Sequence, residues 1–366
     1  MSIIIFFVIL LILVIVHEAG HFYSAKKFSI RVDEFGFGFP PKLYGKKVGE
    51  TEYSFNLLPI GGFVKIFGEN PDDENTFGPD KDRSFINKPK WQQAIVLGAG
   101  VFANFLLAWV LFSFGFMSGM PTSVSNVNAD YSLEDVRLLI VSVIPESPAE
   151  KAGLESGDTI VSLQSGNDLV TTDVNPEILK SFVSENANKE IEIGYYRAGE
   201  ENVDYLKVIP ASENGGEPMI GISMDLVGVA KLPIFKAFSE GMKYTLFATK
   251  STAVGLYSLI KEAILGRGSM EYITGPVGMV GIVGDAYDLG ISYLLSFAAI
   301  ISINLAIINL LPFPALDGGR LFFLLIEKIK GSRLNPRFTN AANLVGFAIL
   351  ILFMIAVTYH DITLLF

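Results

Sequence analysis

Two histidines and a glutamate lie close together near the start of the chain, in the string His17-Glu18-Ala19-Gly20-His21. Residues four positions apart share one face of a helix, so both imidazoles can reach one metal ion. Glu18 falls beside them, where its carboxylate can act on a water molecule instead of ligating the metal. The spacing therefore predicts a hydrolytic zinc site, with His17 and His21 as ligands and Glu18 as the catalytic base. The alternative is a pair of histidines that are only hydrogen-bonded within a helix bundle.

A catalytic zinc ion needs a third protein ligand, and the composition leaves few candidates for it. The chain has no cysteine, and the last of its three histidines, His360, lies at the far end of another apolar segment. Asp317 is the better candidate, because it follows two prolines that end an apolar helix and allow the chain to turn back toward the first one. The alternative role for Asp317 is that of an N-terminal helix cap. We predict one zinc ion, held by His17, His21 and Asp317.

The elements that position these residues are predicted to lie in a membrane. Of the 366 residues, 50% are hydrophobic and 18% are charged, which excludes an ordinary soluble enzyme. The net charge of −10 provides no basic surface for phosphate groups, so we expect no nucleic-acid partner. Apolar segments of about the length that crosses a bilayer indicate about four transmembrane helices, at 2–23, 91–120, 292–311 and 342–359.

The loops between these segments differ in charge. Basic residues are dense between the first and second segments and again between the third and fourth, whereas residues 121–231 are strongly acidic. Lysine and arginine mark the cytoplasmic side of a membrane. We therefore expect both chain ends and the acidic segment to be extracytoplasmic, and the active site to lie toward the cytoplasmic side.

The acidic segment is predicted to be a separate α+β domain. Its strand-like runs, at 138–144, 159–163, 190–196, 204–209 and 219–224, alternate with turn signals, and a helix is expected at 176–185. Farther on, residues 235–265 carry apolar residues at helical spacing, which predicts an amphipathic helix lying on the membrane. The alternative for this last segment is an ordinary surface helix of the soluble domain.

Two motifs in this order resemble a known family. The strings His17 to His21 and Leu316-Asp317-Gly318-Gly319 are similar to those of the site-2 protease family of intramembrane zinc metalloproteases, of the bacterial RseP type. Between them, residues 147–160 (SPAEKAGLESGDTI) resemble the signature of PDZ domains in bacterial membrane proteases. Many relatives carry two PDZ domains in tandem, whereas this chain has room for one.

The resemblance implies a domain organisation. A membrane protease core is expected in two halves, at 1–120 and 291–366, and the first half would include a membrane-associated β-hairpin or sheet. One inserted extracytoplasmic PDZ-like domain is expected at 121–228, followed by an amphipathic membrane-surface linker at 229–290.

The resemblance also assigns substrate-binding residues. These are the paired asparagines Asn304 and Asn309, Gly36 and Gly38 of a glycine loop, Phe63 and Val64 of the β-sheet, and Ile220, Gly221 and Ile222 beside a PDZ peptide groove. An amide side chain can pair with an unwound substrate backbone, although amides also bridge membrane helices. A strand edge can present an extended substrate to the metal, although a plain cytoplasmic hairpin remains the alternative for that segment. The run 100–105 is similar to a motif that packs close to the site.

The function implied is that of a zinc endopeptidase in a bacterial inner membrane. It would cleave single-span membrane proteins, such as anti-sigma factors and signal-peptide remnants, after a site-1 protease has removed most of the outer domain. Its partners would be these substrates and membrane lipid. One rival interpretation is a zinc or proton transporter, which typically has repeated halves that are not evident here. A membrane-anchored PDZ scaffold is the other, and it leaves Glu18 and the two histidines unexplained.

Overall fold

The computed structural model describes residues 1–70, 73–126, 131–171, 173–197, 202–212, 217–267 and 274–363. The chain divides into two compact units. The first, here called the helical unit, comprises Met1–Ser113, Phe238–Tyr287 and Leu294–Phe366. The second, here called the sheet unit, comprises Phe114–Ala237 and Asp288–Tyr293.

The α-helices of the described residues occur in both units. They are α1 (Ser2–Lys27), α2 (Asp73–Phe77), α3 (Lys90–Ser118), α4 (Pro148–Ala152), α5 (Pro176–Glu185), α6 (Ile234–Ile264), α7 (Pro276–Asp288), α8 (Ile291–Leu310), α9 (Asp317–Lys330) and α10 (Pro336–Thr363).

The strands of the described residues form two separate sheets. They are β1 (Val32–Val48), β2 (Thr51–Ile66), β3 (Met120–Ser123), β4 (Glu134–Val143), β5 (Thr159–Ser165), β6 (Asp168–Val170), β7 (Ile191–Tyr196), β8 (Val203–Val208) and β9 (Ile222–Ala230). Strands β1 and β2 pair with each other, and the remaining strands form one seven-stranded sheet.

Four helices of the described residues are long and apolar enough to cross a membrane: α1, α3, α8 and α10. They coincide with the four predicted segments, and α1 and α10 extend a few residues beyond them. An apolar run in lipid must pair its own backbone groups, and a helix does so within one segment. Length and composition therefore fit a polytopic membrane protein.

The β1–β2 hairpin is tied to α1 and α3 by an apolar cluster. This cluster comprises Ala25 of α1, Ile30, Val32 of β1, Ile66 of β2, Phe85, and Val96 and Leu97 of α3. All of these side chains are buried. Because the base of the hairpin packs between α1 and α3, the last residues of β2 are held beside the polar face of α1. The predicted hairpin thus occurs next to the predicted site.

Helix α6 matches the predicted amphipathic segment in length. It packs on α3, where the indole N–H of Trp109 donates a hydrogen bond to the carbonyl oxygen of Phe238 over 2.8 Å and Tyr244 contacts Phe112. Many of its other apolar side chains are exposed, including Phe247 and Tyr257. Its location on a membrane surface stays a prediction.

In the sheet unit the strand order is β3-β9-β4-β5-β7-β8, and β6 pairs with β5. The core side chains come from alternate positions of these strands and from one face of α5, with Leu138, Ile140, Ile160, Leu163, Phe182, Ile191 and Ile193 among them. Helix α5 lies where it is predicted, at Pro176–Glu185. The short strands β3 and β6 were not predicted, because runs of three or four residues show no clear periodicity.

Residues 147–160, which resemble the PDZ signature, stabilise the turns around α4 through their side chains. Ser147 caps α4 by accepting a hydrogen bond from the N–H of Glu150, and Asp158 accepts one from the N–H of Glu155 over 2.9 Å. Asp158 is completely buried, and burial raises the pKa of its carboxyl above the ordinary value, although the Glu155 N–H and Arg197 act in the opposite direction. These residues stabilise the connection between β4 and β5.

Candidate metal centre

Helix α1 carries two of the three predicted ligands on one buried face. His17 and His21 are each only 7% exposed, and their Nε2 atoms lie 3.3 Å apart. The Nδ1–H of His21 donates a hydrogen bond to the backbone carbonyl of Val96 on α3 over 2.8 Å, which turns Nε2 of that ring toward His17. The helical spacing therefore brings the two ring nitrogens to one point.

Asp317 is the first residue of α9, and its carboxylate faces the two imidazoles. Its Oδ2 atom lies 3.1 Å from Nε2 of His17 and 3.2 Å from Nε2 of His21. Leu316 is the cap residue of α9, and no side-chain capping bond is made there. Asp317 is therefore not the N-terminal cap of α9, which was the alternative role considered for it.

The chain reaches this position through a tight turn after α8. A methyl group at Gly318 would overlap the backbone of Leu310 and Leu311, and one at Gly319 would overlap the backbone of Phe313. The two glycines thus allow the first turn of α9 to pack directly on the end of α8. This packing carries the carboxylate of Asp317 back to α1.

The three side chains fit a zinc ion as a set. One ligand atom from each residue lies within 4.8 Å of the other two. Among the described residues, no other group of three histidine or acidic side chains meets this criterion. Two neutral imidazoles and one carboxylate are ligands typical of a catalytic zinc, which keeps one further position open. Burial raises the pKa of Asp317, but hydrogen bonding to His17 and His21 outweighs it, so the pKa lies below the ordinary value. The group is therefore the anion that a cation requires.

A cavity of about 550 Å³ opens beside these ligands. Helix α1, the hairpin, α8 and the start of α9 all contribute to its lining. The lining residues are Val14, His17, Glu18 and His21 of α1; Phe39, Gly61, Gly62, Phe63, Val64 and Ile66 of the hairpin; Glu69 after it; Leu305 and Asn309 of α8; Ala315 and Leu316; and Asp317 and Arg320 of α9. Glu18 thus faces the cavity beside the ligands and is not one of the three clustered groups. A polar cavity next to an open coordination position is the arrangement that a hydrolytic site needs.

Only some of the residues predicted to bind substrate line this cavity. Asn309, Phe63 and Val64 line the cavity, whereas Asn304, Gly36 and Gly38 are not among the lining residues of the described chain. Gly36 lies opposite Phe63 in the hairpin, and the carbonyl of Gly38 accepts a hydrogen bond from the side chain of Asn56. The two glycines therefore belong to the sheet behind the cavity wall.

The segment of β2 that faces the cavity is the edge of the hairpin sheet. Residues 62–66 pair with β1 on one side, and on the other side the backbone N–H of Val64 is directed toward the carboxylate of Glu18. In an antiparallel strand the N–H and C=O of one residue point to the same side. Both backbone groups of Val64 are therefore directed toward the cavity.

Two charged residues of the cavity were not recognised from the sequence. Arg320 follows the aspartate motif directly, and its guanidinium forms an ion pair with Glu69, after the end of β2. The ion pair joins α9 to the hairpin across the cavity. The one sequence signal for Arg320 is its position one helical turn after Asp317. The ion pair itself has no local signal, because Glu69 is 251 residues away in the sequence.

In the sheet unit, Ile220, Gly221 and Ile222 lie where β9 begins. The carbonyl of Ile220 accepts a hydrogen bond from Ala149, and that of Gly221 accepts one from Ile144. In the described part of the chain, strand β3 pairs with residues 227–230 of β9. Among the described residues, the segment 222–226 therefore has a strand neighbour on the β4 side alone.

Comparison with known proteins identifies the family. The model described as peptidase family M50 matches residues 5–353 of the chain. The chain belongs to this family. Curated members that resemble it include the zinc metalloproteases RasP of Shouchella clausii and Bacillus licheniformis, each 30% identical. The alignments cover 99% and 100% of this chain and 98% and 99% of those proteins. A protein of Clostridium perfringens named as a zinc metalloprotease is 36% identical over 96% of this chain and 95% of its own length.

Solved structures similar to the chain include two bacterial domains. One is the PDZ domain of an SdrC-like protein from Listeria monocytogenes, 17% identical, which covers 27% of this chain and 93% of that domain with a TM-score of 0.20. Another is the second domain of the Listeria protein Lin2157, 20% identical, which covers 26% of this chain and 89% of that domain with a TM-score of 0.19.

As a member of peptidase family M50, the site-2 protease family, the chain is a zinc-dependent peptidase. The predicted family, peptidase activity and zinc cofactor are confirmed. The membership favours a peptidase over the transporter and scaffold interpretations. Homologues of this kind, together with the four apolar helices, support an intramembrane metalloprotease.

Gly100 of α3 provides a test of the ligand set. A methyl group at Gly100 would overlap Nε2 of His21 and approach Cε1 of His17 to 2.8 Å, whereas one at Gly98 would meet nothing within 4 Å. We expect Gly100→Ala to weaken zinc binding by at least about tenfold, the lower range for changes next to metal ligands. Zinc affinity of the purified protein, measured against a competing chelator, checks this.

Gly98→Ala is the matched control, because the same change is made two residues away on the same helix. Replacing glycine by alanine in a helix interior adds about 1 kcal/mol to helix stability, so unfolding of α3 is not expected in either variant. Equal zinc affinities for the two variants would contradict the ligand set described here.

Proposed function

We propose that the chain is an intramembrane zinc endopeptidase that cleaves single-span membrane proteins within or near their transmembrane helix. The observation that carries this proposal is the meeting of His17, His21 and Asp317, two of them on a helix apolar enough to cross a membrane. Ionisable groups in such a helix are costly unless they are paired or bind a ligand. We expect substrates resembling anti-sigma factors and signal-peptide remnants, trimmed beforehand by a site-1 protease.

The proposed catalytic roles follow from the positions in the cavity. His17, His21 and Asp317 would hold the ion, and Glu18 would be the general base. When bound, zinc would supply polarisation of the scissile carbonyl and a lower pKa of water, toward about 7. Glu18 takes the proton from the attacking water and delivers it to the leaving amine. The position of Glu18 and Val64 in the lining of one cavity supports this assignment, because a backbone N–H directed at the carboxylate favours its place there.

A transmembrane substrate must lose part of its helix before hydrolysis, since a helix keeps its backbone groups paired. We propose that the edge of β2 at Phe63 and Val64 receives the unwound segment as an added strand. Asn309 would supply one further donor and acceptor from α8. Asn304 is five residues earlier on α8 and outside the cavity lining, which favours the helix-bridging alternative for it.

The proposed location is a bacterial inner membrane, which also supplies lipid as a partner. The basic loops favour a cytoplasmic position for the hairpin side, with both chain ends and the sheet unit on the extracytoplasmic side. We infer that the sheet unit is a PDZ domain, and that the segment 222–226 of β9 is the edge where a peptide would pair. The boundaries at 121–228 and 229–290 remain proposals.

The catalytic scheme predicts that two classes of variant behave differently. Glu18→Gln is expected to retain zinc while cleavage of a model single-span substrate falls by about 10²–10⁴-fold, because only the base is lost. Alanine at His17, His21 or Asp317 is expected to deplete zinc itself. Metal content and cleavage are measured on the same purified samples.

His360→Ala is the control for this series, since it removes the remaining histidine of the chain. It is expected to keep its zinc. Zinc loss from Glu18→Gln would make Glu18 a ligand, and zinc loss from His360→Ala with retention in Asp317→Ala would identify a different third ligand.

The strand-edge proposal predicts a backbone effect at Val64. Val64→Pro removes the N–H that faces the cavity, and proline is tolerated on an edge strand when its missing N–H is not part of the ladder. We expect cleavage to fall by about tenfold or more, because the donor to an added strand and the donor directed at Glu18 are lost together, with zinc content unchanged. Val64→Ala, which keeps the N–H, is expected to retain most of the activity. Similar losses in both variants would indicate a side-chain role instead of strand addition.

We further propose that the PDZ domain limits the size of the substrate's outer domain. By the charge argument it lies on the side from which that outer domain approaches. Ser123 and Val227 are opposite each other on β3 and β9, so an Asn-Gly turn in place of residues 124–226 would close a two-stranded hairpin. This variant is expected to cleave short substrates as before and to accept untrimmed long ones. If the folded, zinc-loaded variant cleaves neither, the domain is required for catalysis.

A further inference from the structure

Asn104 carries a buried amide next to the metal centre. It lies in the middle of α3, one of the four helices apolar enough to cross a membrane, and its side chain is completely buried. Its backbone carbonyl accepts a hydrogen bond from the hydroxyl of Ser302 over 2.8 Å, which ties α3 to α8 at this level. That bond does not use the side-chain amide. A buried amide in such a helix needs partners of its own.

The amide of Asn104 contacts Nδ1 of His17, the ring nitrogen that points away from Asp317 and His21. Nδ2 of Asn104 lies 3.3 Å from Nδ1 of His17, and Oδ1 of Asn104 is buried without a hydrogen-bond partner in the described chain. On the other side of the ring, Nε2 of His17 faces Asp317 and His21. The imidazole is therefore held between the ligand cluster and Asn104.

Metal binding determines which nitrogen of His17 carries the proton. An imidazole that offers the lone pair of Nε2 to a metal keeps its proton on Nδ1, where it must be donated to an acceptor. The NH₂ group of an amide cannot accept that proton, whereas its oxygen can. A half-turn of the amide about Cβ–Cγ exchanges the two groups. It brings Oδ1, the atom without a partner, to Nδ1–H of His17.

His21 shows how the same requirement is met by the backbone. Its Nδ1–H donates to the carbonyl of Val96, which is an acceptor in every state. Val96 and Asn104 are both on α3, so one helix holds the rings of both predicted histidine ligands. The difference is that the support of His17 is a side chain and can be altered by substitution.

We infer that Asn104 is a positioning residue that fixes His17 in its metal-binding tautomer by accepting the Nδ1–H hydrogen bond through Oδ1. This inference rests on the proposed metal site. It assigns Asn104 no contact with substrate. It also gives the run at 100–105 two distinct tasks, since Gly100 provides space for the rings and Asn104 orients one of them.

The test compares two substitutions of nearly the same size. Asn104→Leu has no acceptor and is expected to weaken zinc binding by about 10–100-fold, the range found when such partners of ligands are removed. Asn104→Asp keeps an oxygen acceptor and is expected to bind zinc within about threefold of the unaltered protein or more tightly, as aspartate is a common partner of ligating histidines. The measurements are zinc affinity by chelator competition and the absorption spectrum of the cobalt-substituted protein.

The cobalt spectrum separates positioning from packing. Asn104→Asp is expected to reproduce the spectrum of the unaltered protein, and Asn104→Leu to change it. Equal loss of affinity in both variants, or affinity unchanged in Asn104→Leu, overturns the inference. If Asn104→Leu does not fold, Asn104→Asp still decides, because a loss of more than tenfold in that variant contradicts an acceptor role.

His17→Ala distinguishes this inference from the proposed function. Loss of zinc from His17→Ala together with full affinity in Asn104→Leu would reject the role of Asn104 and leave the metal site standing. Full zinc affinity in His17→Ala would reject both, since His17 would then not be a ligand.

Discussion

The approach of Asp317 to the two histidines of α1 is the interaction on which the rest of the helical unit depends. The ion-pairing atoms are 3.1 and 3.2 Å apart although the residues are 300 positions apart for His17 and 296 for His21. In an apolar helix, two imidazoles and a carboxylate are stable only when they neutralise one another or bind a cation. Placing α9 against α1 therefore brings opposite charges together on an apolar helix and assembles the proposed zinc ligands in one step.

This approach requires close contact between backbones and side chains. Gly318 and Gly319 allow α9 to pack on the end of α8, and Gly100 leaves room on α3 for the imidazole rings. Small residues are the usual means by which membrane helices come together, since lipid provides no hydrophobic force between them. Helix α3 is thus the wall behind the site, and the same helix supplies Val96 and Asn104 to the outer nitrogens of the rings.

The hairpin side of the cavity concerns the backbone of the substrate. A peptide bond in a transmembrane helix is protected by its own hydrogen bonds, so a protease in the membrane must offer alternative partners to the unwound backbone. The edge of β2 faces the cavity beside Glu18, and the apolar cluster at the foot of the hairpin holds that edge against α1. The proposed steps of unwinding and hydrolysis would then take place side by side.

The sequence by itself determined the family, the four apolar segments, the zinc dependence and the set of ligand candidates, since these follow from residue spacing within one helix and from composition. The pair His17 and His21 needed only the helical period, and Asp317 needed only its motif after two prolines. Helix α5 and most strands of the sheet unit were predictable from local periodicity as well. The short strands β3 and β6 were not, because runs of three or four residues show no clear periodicity.

Only the tertiary structure decided which residues share the cavity. It separated Asn309 from Asn304 on α8, joined Arg320 to Glu69 across 251 positions, and brought Asn104 to the outer nitrogen of His17. No local pattern predicts such contacts, because each depends on how elements that are separate in the sequence are rotated and packed. Spacing within an element is set by the backbone geometry of that element, whereas contacts between elements are set by the packing of all of them together.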